Sequence, residues 1–385
     1  MTEAVPRGRV LHIVRRLGEP SQTFVLDAIL ELQRRGWRTD VLSLLPPTGT
    51  AETFPALEPP RPSTYRRARQ WLSPQTPSAL ATRHWATAIR ARRPELLHIH
   101  FGWNATQVED ITSFGVPTLV SFHGSDINAW PHRAAANLQA YRCLFTRLRR
   151  ATVVSSVLGH RLRDLGFSGT IDVIPAGVNL DRFRYRDPTT NGRDPRLLFV
   201  GRIVPCKGLD TLVSALPHVL QGDPNVRLEV VGDGEMRCET ERLARDLGVA
   251  DHIGFRGIRT HDSVGRAMRE ADVLIVPSRR SEAGEEEGSP VAPKEALATG
   301  MPVVATNIGG IPDIVPPEYR SELVPPDDPS ALAAQILHVL LDRGSWRERA
   351  RTGRVWIERE FDADKLIDRL ESVYRAIRMG SDALG

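Results

Sequence analysis

The opening of this chain constrains its fold most. Arg9–Val14 (RVLHIV) is a short apolar run, Ser21–Arg35 follows with Phe24, Ala28 and Leu32 beside Leu26, Ile29 and Leu30, and Thr39–Leu44 is a second short run. Runs this short, separated by residues at helical spacing, read as strand, helix, strand. Such a unit forms a right-handed crossover between parallel strands. The theme returns at Glu95–Phe101, Pro117–Phe122, Ala151–Ser155 and Ile171–Ile174, and again at Arg196–Val200, Val226–Val231, Ile253–Gly257, Ala271–Pro277 and Met301–Thr306. The expected class is therefore α/β, with two doubly wound, Rossmann-like domains, and 385 residues give each its own core. The polar, turn-rich stretch Asp181–Pro195 marks the linker and divides 1–190 from 191–362. Ligands of such sheets bind at the carboxyl ends of the strands, so the loops there carry the candidate residues.

Composition removes several classes. A formal charge of +4 is small for this length and implies no nucleic-acid partner. Cys143, Cys206 and Cys238 have neither paired nor metal-like spacing, which points to a reducing cytoplasmic compartment. No apolar run approaches the roughly 20 residues of a membrane helix, and the N-terminal MTEAVPRGRV lacks a signal segment. Two basic stretches are candidates for peripheral contact with the inner membrane face, and otherwise read as solvated faces. One is Arg61, Arg66, Arg67 and Arg69 before Trp71, in the proline-rich excursion Pro46–Pro77; the other is Arg142, Arg147, Arg149 and Arg150 on the expected helix Asn137–Arg150. Nothing in the sequence sets an oligomeric state.

Chemistry concentrates between Glu285 and Gly310 (EEEGSPVAPKEALATGMPVVATNIGG). Glu287 and Glu295 stand eight positions apart, separated by the loop Gly288, Ser289, Pro290 and the first turns of a helix over Ala292–Thr299. Gly300 ends that helix, being free to adopt the left-handed conformation. A helix N-terminus leaves N–H groups unpaired and suits an anion, most naturally a phosphate. The two carboxylates would then accept hydroxyls on either side, which describes a nucleotide sugar. On spacing alone the glutamates read first as ordinary solvated residues.

The stretch resembles the E-x7-E signature of family 4 of the retaining glycosyltransferases. That family has the GT-B architecture, two Rossmann-like domains facing each other across a cleft, and its terminal helix crosses back onto the first domain. The resemblance implies an acceptor-binding domain over 1–190, joined by a helix at about 363–380, and a donor-binding domain over 191–362. Glu295 would hold the ribose and Glu287 would face the donor sugar, with Gly288, Ser289, Pro290 and Val291 beside the diphosphate. Gly201-Arg202 and Lys207-Gly208 resemble the family's diphosphate clamp (G-R-x-x-x-x-K-G); two fixed cations stabilise a departing diphosphate without a metal. Gly257 and Ile258 would lie against the nucleobase. Glu285 and Glu286 are rivals to Glu287, and spacing selects Glu287. The implied activity is metal-independent transfer of a sugar from a UDP- or GDP-sugar to a hydroxyl acceptor such as a glycan, a lipid-linked sugar or a natural product, with no cofactor. A nucleotide-sugar epimerase, a phosphorylase or a silent binding subunit on the same architecture is the alternative.

In the first half, His123-Gly124-Ser125-Asp126 follows a buried strand and is similar to the family's H-G-x-D pattern, which places His123 beside the donor sugar. Where the family carries several glycines, this chain has RRLGEPSQTF, similar to an exopolysaccharide-type subgroup. Gly18, Ser21, Gln22 and Thr23 become acceptor-side candidates, together with His100 and Asp126, although Ser21 could simply cap the helix. His98 and His100 share one strand face, but no third metal ligand is evident in the sequence, so no metal site is expected. Asp362-Ala363-Asp364 spells D-x-D at a helix start, where aspartate caps.

Overall fold

The computed structural model describes residues 7–19, 22–45, 47–48, 51, 56–57, 86–87, 89–108, 114–188 and 194–380. Ser21 and most of the excursion 46–77 lie outside the described residues. The chain forms two compact units, the first comprising Met1–Val154, Leu158–Ile174 and Ile367–Gly385, the second Ser155–Val157 and Pro175–Leu366. The crossing thus falls at Ile174/Pro175, before the polar stretch that sequence pointed to. Val178 and Phe183 explain the shift: both are buried in the second unit's core, so the polar residues between and after them decorate that unit.

The first unit holds a seven-stranded parallel sheet in the order β3-β2-β1-β4-β5-β6-β7. The strands are β1 Arg9–Arg16, β2 Arg38–Leu45, β3 Ala56–Leu57, β4 Leu96–His100, β5 Thr118–Phe122, β6 Arg150–Val153 and β7 Thr170–Val173. Alternation divides its side chains between two faces. Leu11, Ile13, Leu97, Ile99, Val120 and Phe122 fill one face, while Val10, Leu96 and Leu119 fill the other beneath the C-terminal helix Ala363–Arg378. That helix packs through Ile367, Leu370, Val373, Tyr374 and Ile377. Helix Thr23–Arg34 buries Val25, Leu26, Ile29 and Leu32, whereas Leu30, which its spacing placed inward, is 45 % exposed. Arg150, expected on a basic helix, instead opens β6 and pairs with Asp172; the helix ends at Phe145.

The second unit is a five-stranded parallel sheet, β10-β9-β8-β11-β12, formed by β8 Arg196–Val200, β9 Arg227–Val231, β10 Ile253–Gly257, β11 Val273–Val276 and β12 Val303–Ala305. Leu197 and Phe199 point into one core and Leu198 into the other, as expected of a sheet covered on both faces. Among the described residues no helix is long and apolar enough to cross a membrane.

A polar seam crosses the first sheet. His12 pairs in register with His98, His100 with Ser121, and Ser121 with Thr152, so alternation places these groups on one face of β1, β4, β5 and β6. His98 Nδ1 lies 2.7 Å from the Tyr374 hydroxyl of the C-terminal helix and its Nε2 lies 2.6 Å from Ser121 Oγ. Tyr374→Phe removes only that hydroxyl and leaves a buried imidazole nitrogen unpaired. The expected loss is about 1–3 kcal/mol of unfolding free energy in denaturant titration; an unchanged transition would show that the seam does not hold the helix.

Candidate active site

In the second unit, the loops at the carboxyl ends of the strands meet. Gly201 and Arg202 follow β8, and a single 3-10 turn Pro205–Lys207 leads into helix Leu209–Gly222. Lys207 forms an ion pair with Glu287, whose Oε1 also accepts from Ser278 Oγ at 3.3 Å. Both partners are largely shielded, with side chains 20 % and 10 % exposed. Two segments that the resemblance assigned to the diphosphate and to the donor sugar are therefore joined directly. Gly201 lies against the Lys207 stem, and Arg202 is exposed with no ion pair among the described residues.

The glycine pair Gly309-Gly310 closes this loop from below. A Cβ on Gly309 would sit 2.2 Å from the Glu287 carbonyl, one on Gly310 1.9 Å from that of Gly288, and Gly310 N donates to Glu287 O at 3.0 Å. The pair approaches the Glu287-Gly288 backbone and thereby fixes the loop that carries the carboxylate. Gly288 and Pro290 are buried, Ser289 and Val291 half-buried. Helix Val291–Thr299 starts at Pro290 without a side-chain cap and ends at Gly300 in the left-handed conformation. Pro293, like Pro290, has no N–H, so Val291 and Ala292 are the first-turn amides available to an anion. Glu295, one turn into the helix, is 8 % exposed. Gly257 ends β10 and Ile258 beyond it is 71 % exposed, an apolar surface at the same edge of the sheet. The rivals differ in placement: Glu285 closes a local turn with Ser281, and Glu286 is buried.

Sequence reasoning missed Arg279. Its guanidinium binds Asp210 and Asp327 and donates to the Pro205 carbonyl at 2.9 Å, which holds the turn that presents Lys207. The signal was present as unexplained charge in Ser278–Glu286, without a way to know its partners.

In the first unit, His123 follows β5 and is half-buried, with both ring nitrogens shielded and unpartnered among the described residues. Its ring packs on Phe101 (centroids 4.5 Å apart), Phe24 (5.1 Å) and His100 (5.7 Å). Phe101 has φ +67°, an unusual backbone for a bulky residue and a local store of strain beside the imidazole. The Asp126 carboxylate accepts from Gly102 N, His123 N and Gly124 N at 2.8–3.0 Å and is fully buried, so it fixes the loop and faces backbone amides. Burial pushes this carboxyl up to about 6, against the pull of those amides. The SQTF segment contributes Phe24 to this site. Gln22 bonds Glu19 locally, Thr23 begins the helix, and Gly18 is required by a close approach to the Thr48 carbonyl.

His12, hidden in the apolar run RVLHIV, is the third imidazole that sequence did not supply: ligand atoms of His12, His98 and His100 lie within 4.8 Å of one another. His12 Nδ1 and His100 Nε2 are 3.2 Å apart, a hydrogen bond, and both His98 nitrogens face hydroxyls. The arrangement fits neutral, hydrogen-bonded imidazoles. Asp362 of the D-x-D bonds the Asp364 amide at 3.0 Å, a cap.

Comparison with known proteins shows the family and the fold. Residues 181–356 match the family described as "Glycosyl transferases group 1" and residues 21–182 match "Glycosyltransferase Family 4". The chain is 31 % identical over 280 residues to a GDP-mannose-dependent alpha-(1-6)-phosphatidylinositol monomannoside mannosyltransferase of Mycobacterium tuberculosis, covering 69 % of this chain and 70 % of that protein. It is 25 % identical to the amylovoran biosynthesis glycosyltransferase AmsK of Erwinia amylovora, covering 70 % and 67 %. Among solved structures, sucrose-phosphate synthase from Thermosynechococcus elongatus superposes with TM-score 0.78 at 23 % identity, covering 96 % of this chain and 99 % of that one. HepE of Anabaena, in complex with UDP and glucose, superposes with TM-score 0.75 at 18 % identity, covering 96 % and 100 %. The fold is that of the GT-B glycosyltransferases. The chain belongs to glycosyltransferase family 4 and is a glycosyltransferase.

Burial drives the His12, His98, His100 and His123 pKa values down, that of His100 to about 3, so all four are neutral when folded. The unfolded chain takes up these protons near pH 6.5, the folded one only well below; stability is therefore lost as pH falls below about 6.5, by up to about 1.4 kcal/mol per pH unit for each histidine. Asp126 acts oppositely, since its raised pKa favours the folded state as pH falls from about 6 to about 4. Four groups outweigh one. Denaturant titration from pH 7 to pH 5 should lose several kcal/mol, with a shallower slope in His12→Phe; a flat profile would contradict neutral burial.

Proposed function

We propose that this glycosyltransferase moves a sugar from a UDP- or GDP-linked donor to a hydroxyl acceptor, with retention at the anomeric carbon and without a metal. The observation that carries the reading is the Lys207–Glu287 ion pair at the N-terminal end of helix Val291–Thr299, where a cation, helix amides and a carboxylate converge. The names of the relatives support both bases: the mycobacterial protein is GDP-mannose-dependent, and HepE was solved with UDP.

Departure of a nucleoside diphosphate develops negative charge on its phosphate oxygens. Lys207, with Arg202 beside it, supplies fixed positive charge there, and the Val291 and Ala292 amides add dipoles. A side-chain clamp of this kind does what a divalent ion does in other transferases. Glu287 holds Lys207 in place and offers its remaining acceptor capacity to sugar hydroxyls; Glu295 takes the ribose. Gly257 and Ile258 line the base. His123, rigidly walled yet with unpartnered nitrogens, is the first unit's own candidate for binding a sugar hydroxyl. In retaining transfer the acceptor hydroxyl attacks from the face the diphosphate leaves, its oxygen bonding the anomeric carbon as the bond from that carbon to the diphosphate oxygen breaks, and its proton passes to a phosphate oxygen of the leaving diphosphate. Polysaccharide intermediates and lipid-linked sugars are acceptors consistent with the relatives' names.

A ligand at 100 times its Kd stabilises the folded state by about 2.7 kcal/mol. In a thermal-shift panel of nucleoside diphosphates and their sugars, one base series should raise the midpoint of the wild-type protein. Lys207→Ala and Glu295→Ala should each stay folded and lose that response. Undiminished shifts in both variants would remove the donor site from this part of the molecule.

A further inference from the structure

Lys294 immediately precedes the second glutamate of the signature, and its side chain is fully buried. An ammonium in such surroundings is costly unless its protons are satisfied. Here all three are: Nζ donates to the Ala176 carbonyl at 2.8 Å, to Ser289 Oγ at 3.1 Å and, at longer range, to the Ser289 carbonyl at 3.5 Å. Nζ also lies 5.4 Å above the Phe361 ring. With three protons and three protein acceptors, the group has nothing left to offer a substrate.

The acceptors have meaning in the chain path. Ala176 lies just after the point where the chain enters the second unit, and Phe361 just before the point where it leaves. These two segments are bonded to each other, Val178 N to Phe361 O at 2.8 Å and Ala363 N to Val178 O at 3.1 Å, and Gly177 fits only because a Cβ there would meet Ala363 Cα at 2.4 Å. Ser289 is the middle of the loop that carries Glu287 into the helix. One side chain thus ties both connecting segments to the loop.

We propose that Lys294 is a positioning residue that fastens the Gly288–Pro290 loop to the paired segments linking the two units, so that the loop keeps its orientation toward a donor and the linkers respond when it is filled. The inference rests on the donor reading above. An apolar residue at 294 would pack without a desolvation cost, yet would leave the Ala176 carbonyl and the Ser289 hydroxyl without their donor.

Burial brings the Lys294 pKa down to about 7, opposed by Glu295 on its own helix and Glu287 on the loop, the charged groups that act on it among the described residues. The turn at Ala176 and the Phe361 segment present a carbonyl and an aromatic ring. Below pH 7 the ammonium donates to all three acceptors; above it the amine keeps two hydrogens and one acceptor is released. Binding to the loop should therefore weaken as pH rises through 7.

The test compares the full-length wild-type protein with Lys294→Met and Lys294→Arg. Amide hydrogen exchange without ligand should quicken in Lys294→Met at both 176–178 and 288–289, with other segments unchanged. Calorimetry with UDP-glucose and with GDP-mannose should give wild-type binding that weakens from pH 6 to pH 8. The methionine variant should bind about tenfold more weakly at pH 6, the scale of one charge-assisted hydrogen bond, with no pH dependence. Arginine, which keeps its charge, should restore binding without the pH dependence. Wild-type exchange at both segments in Lys294→Met, or a wild-type pH profile in Lys294→Arg, overturns the proposal. If neither nucleotide sugar binds the wild-type protein, the donor reading fails, while the exchange comparison still decides on Lys294.

Discussion

The Lys207–Glu287 ion pair is the interaction on which the second unit's site depends. It joins the loop after β8 to the loop after β11, neighbouring strands whose sequences are far apart. Neither partner holds itself. Arg279 grips the turn under Lys207, and the Gly309-Gly310 backbone, which has no Cβ to keep it away, closes on Glu287 and Gly288. The pair is shielded enough for its field to matter and open enough for a ligand to reach it, which is the compromise an electrostatic site requires.

The first unit follows a different logic. Its functional candidate, His123, is neutral, and what surrounds it fixes geometry rather than charge: Phe24 and Phe101 against its ring, Asp126 beneath its backbone, and a seam of imidazoles and hydroxyls running back to Tyr374. That seam connects strand ends to the C-terminal helix, so Tyr374 of that helix helps to stabilise the strands that display His123. Burial keeps these imidazoles uncharged, and charging them is what acid would have to do to undo the unit.

Much of this was legible because it is local. The strand and helix alternation, the Glu287 to Glu295 spacing, the helix stop at Gly300 and the helix over Ala363–Arg378 follow from periodicity and turn chemistry within a few residues. What was not legible depends on register and packing. His12 looked like one residue of an apolar strand until β1 lay beside β4. Lys294 sits at a helix position that spacing does not mark as buried, and only the arrival of Ala176 and Ser289 makes it so. Phe24 carried the expected apolar face of its helix, but its ring also meets His123. Gly18 and Gly309 sit against the carbonyls of Thr48 and Glu287, partners that the sequence does not name, because a glycine announces a close approach without saying what approaches. The crossing between units was misplaced for a similar reason, since Val178 and Phe183 bury within a polar neighbourhood.

The central claim is that a nucleoside diphosphate lies where Lys207, the amides of Val291 and Ala292, and Glu295 converge. A crystal structure of the protein soaked with UDP or GDP measures this directly. The account predicts phosphate oxygens within hydrogen-bond reach of Lys207 Nζ and ribose hydroxyls at the Glu295 carboxylate. A diphosphate bound elsewhere, with Lys207 still closed on Glu287 and the Val291 amide facing no phosphate, would contradict it.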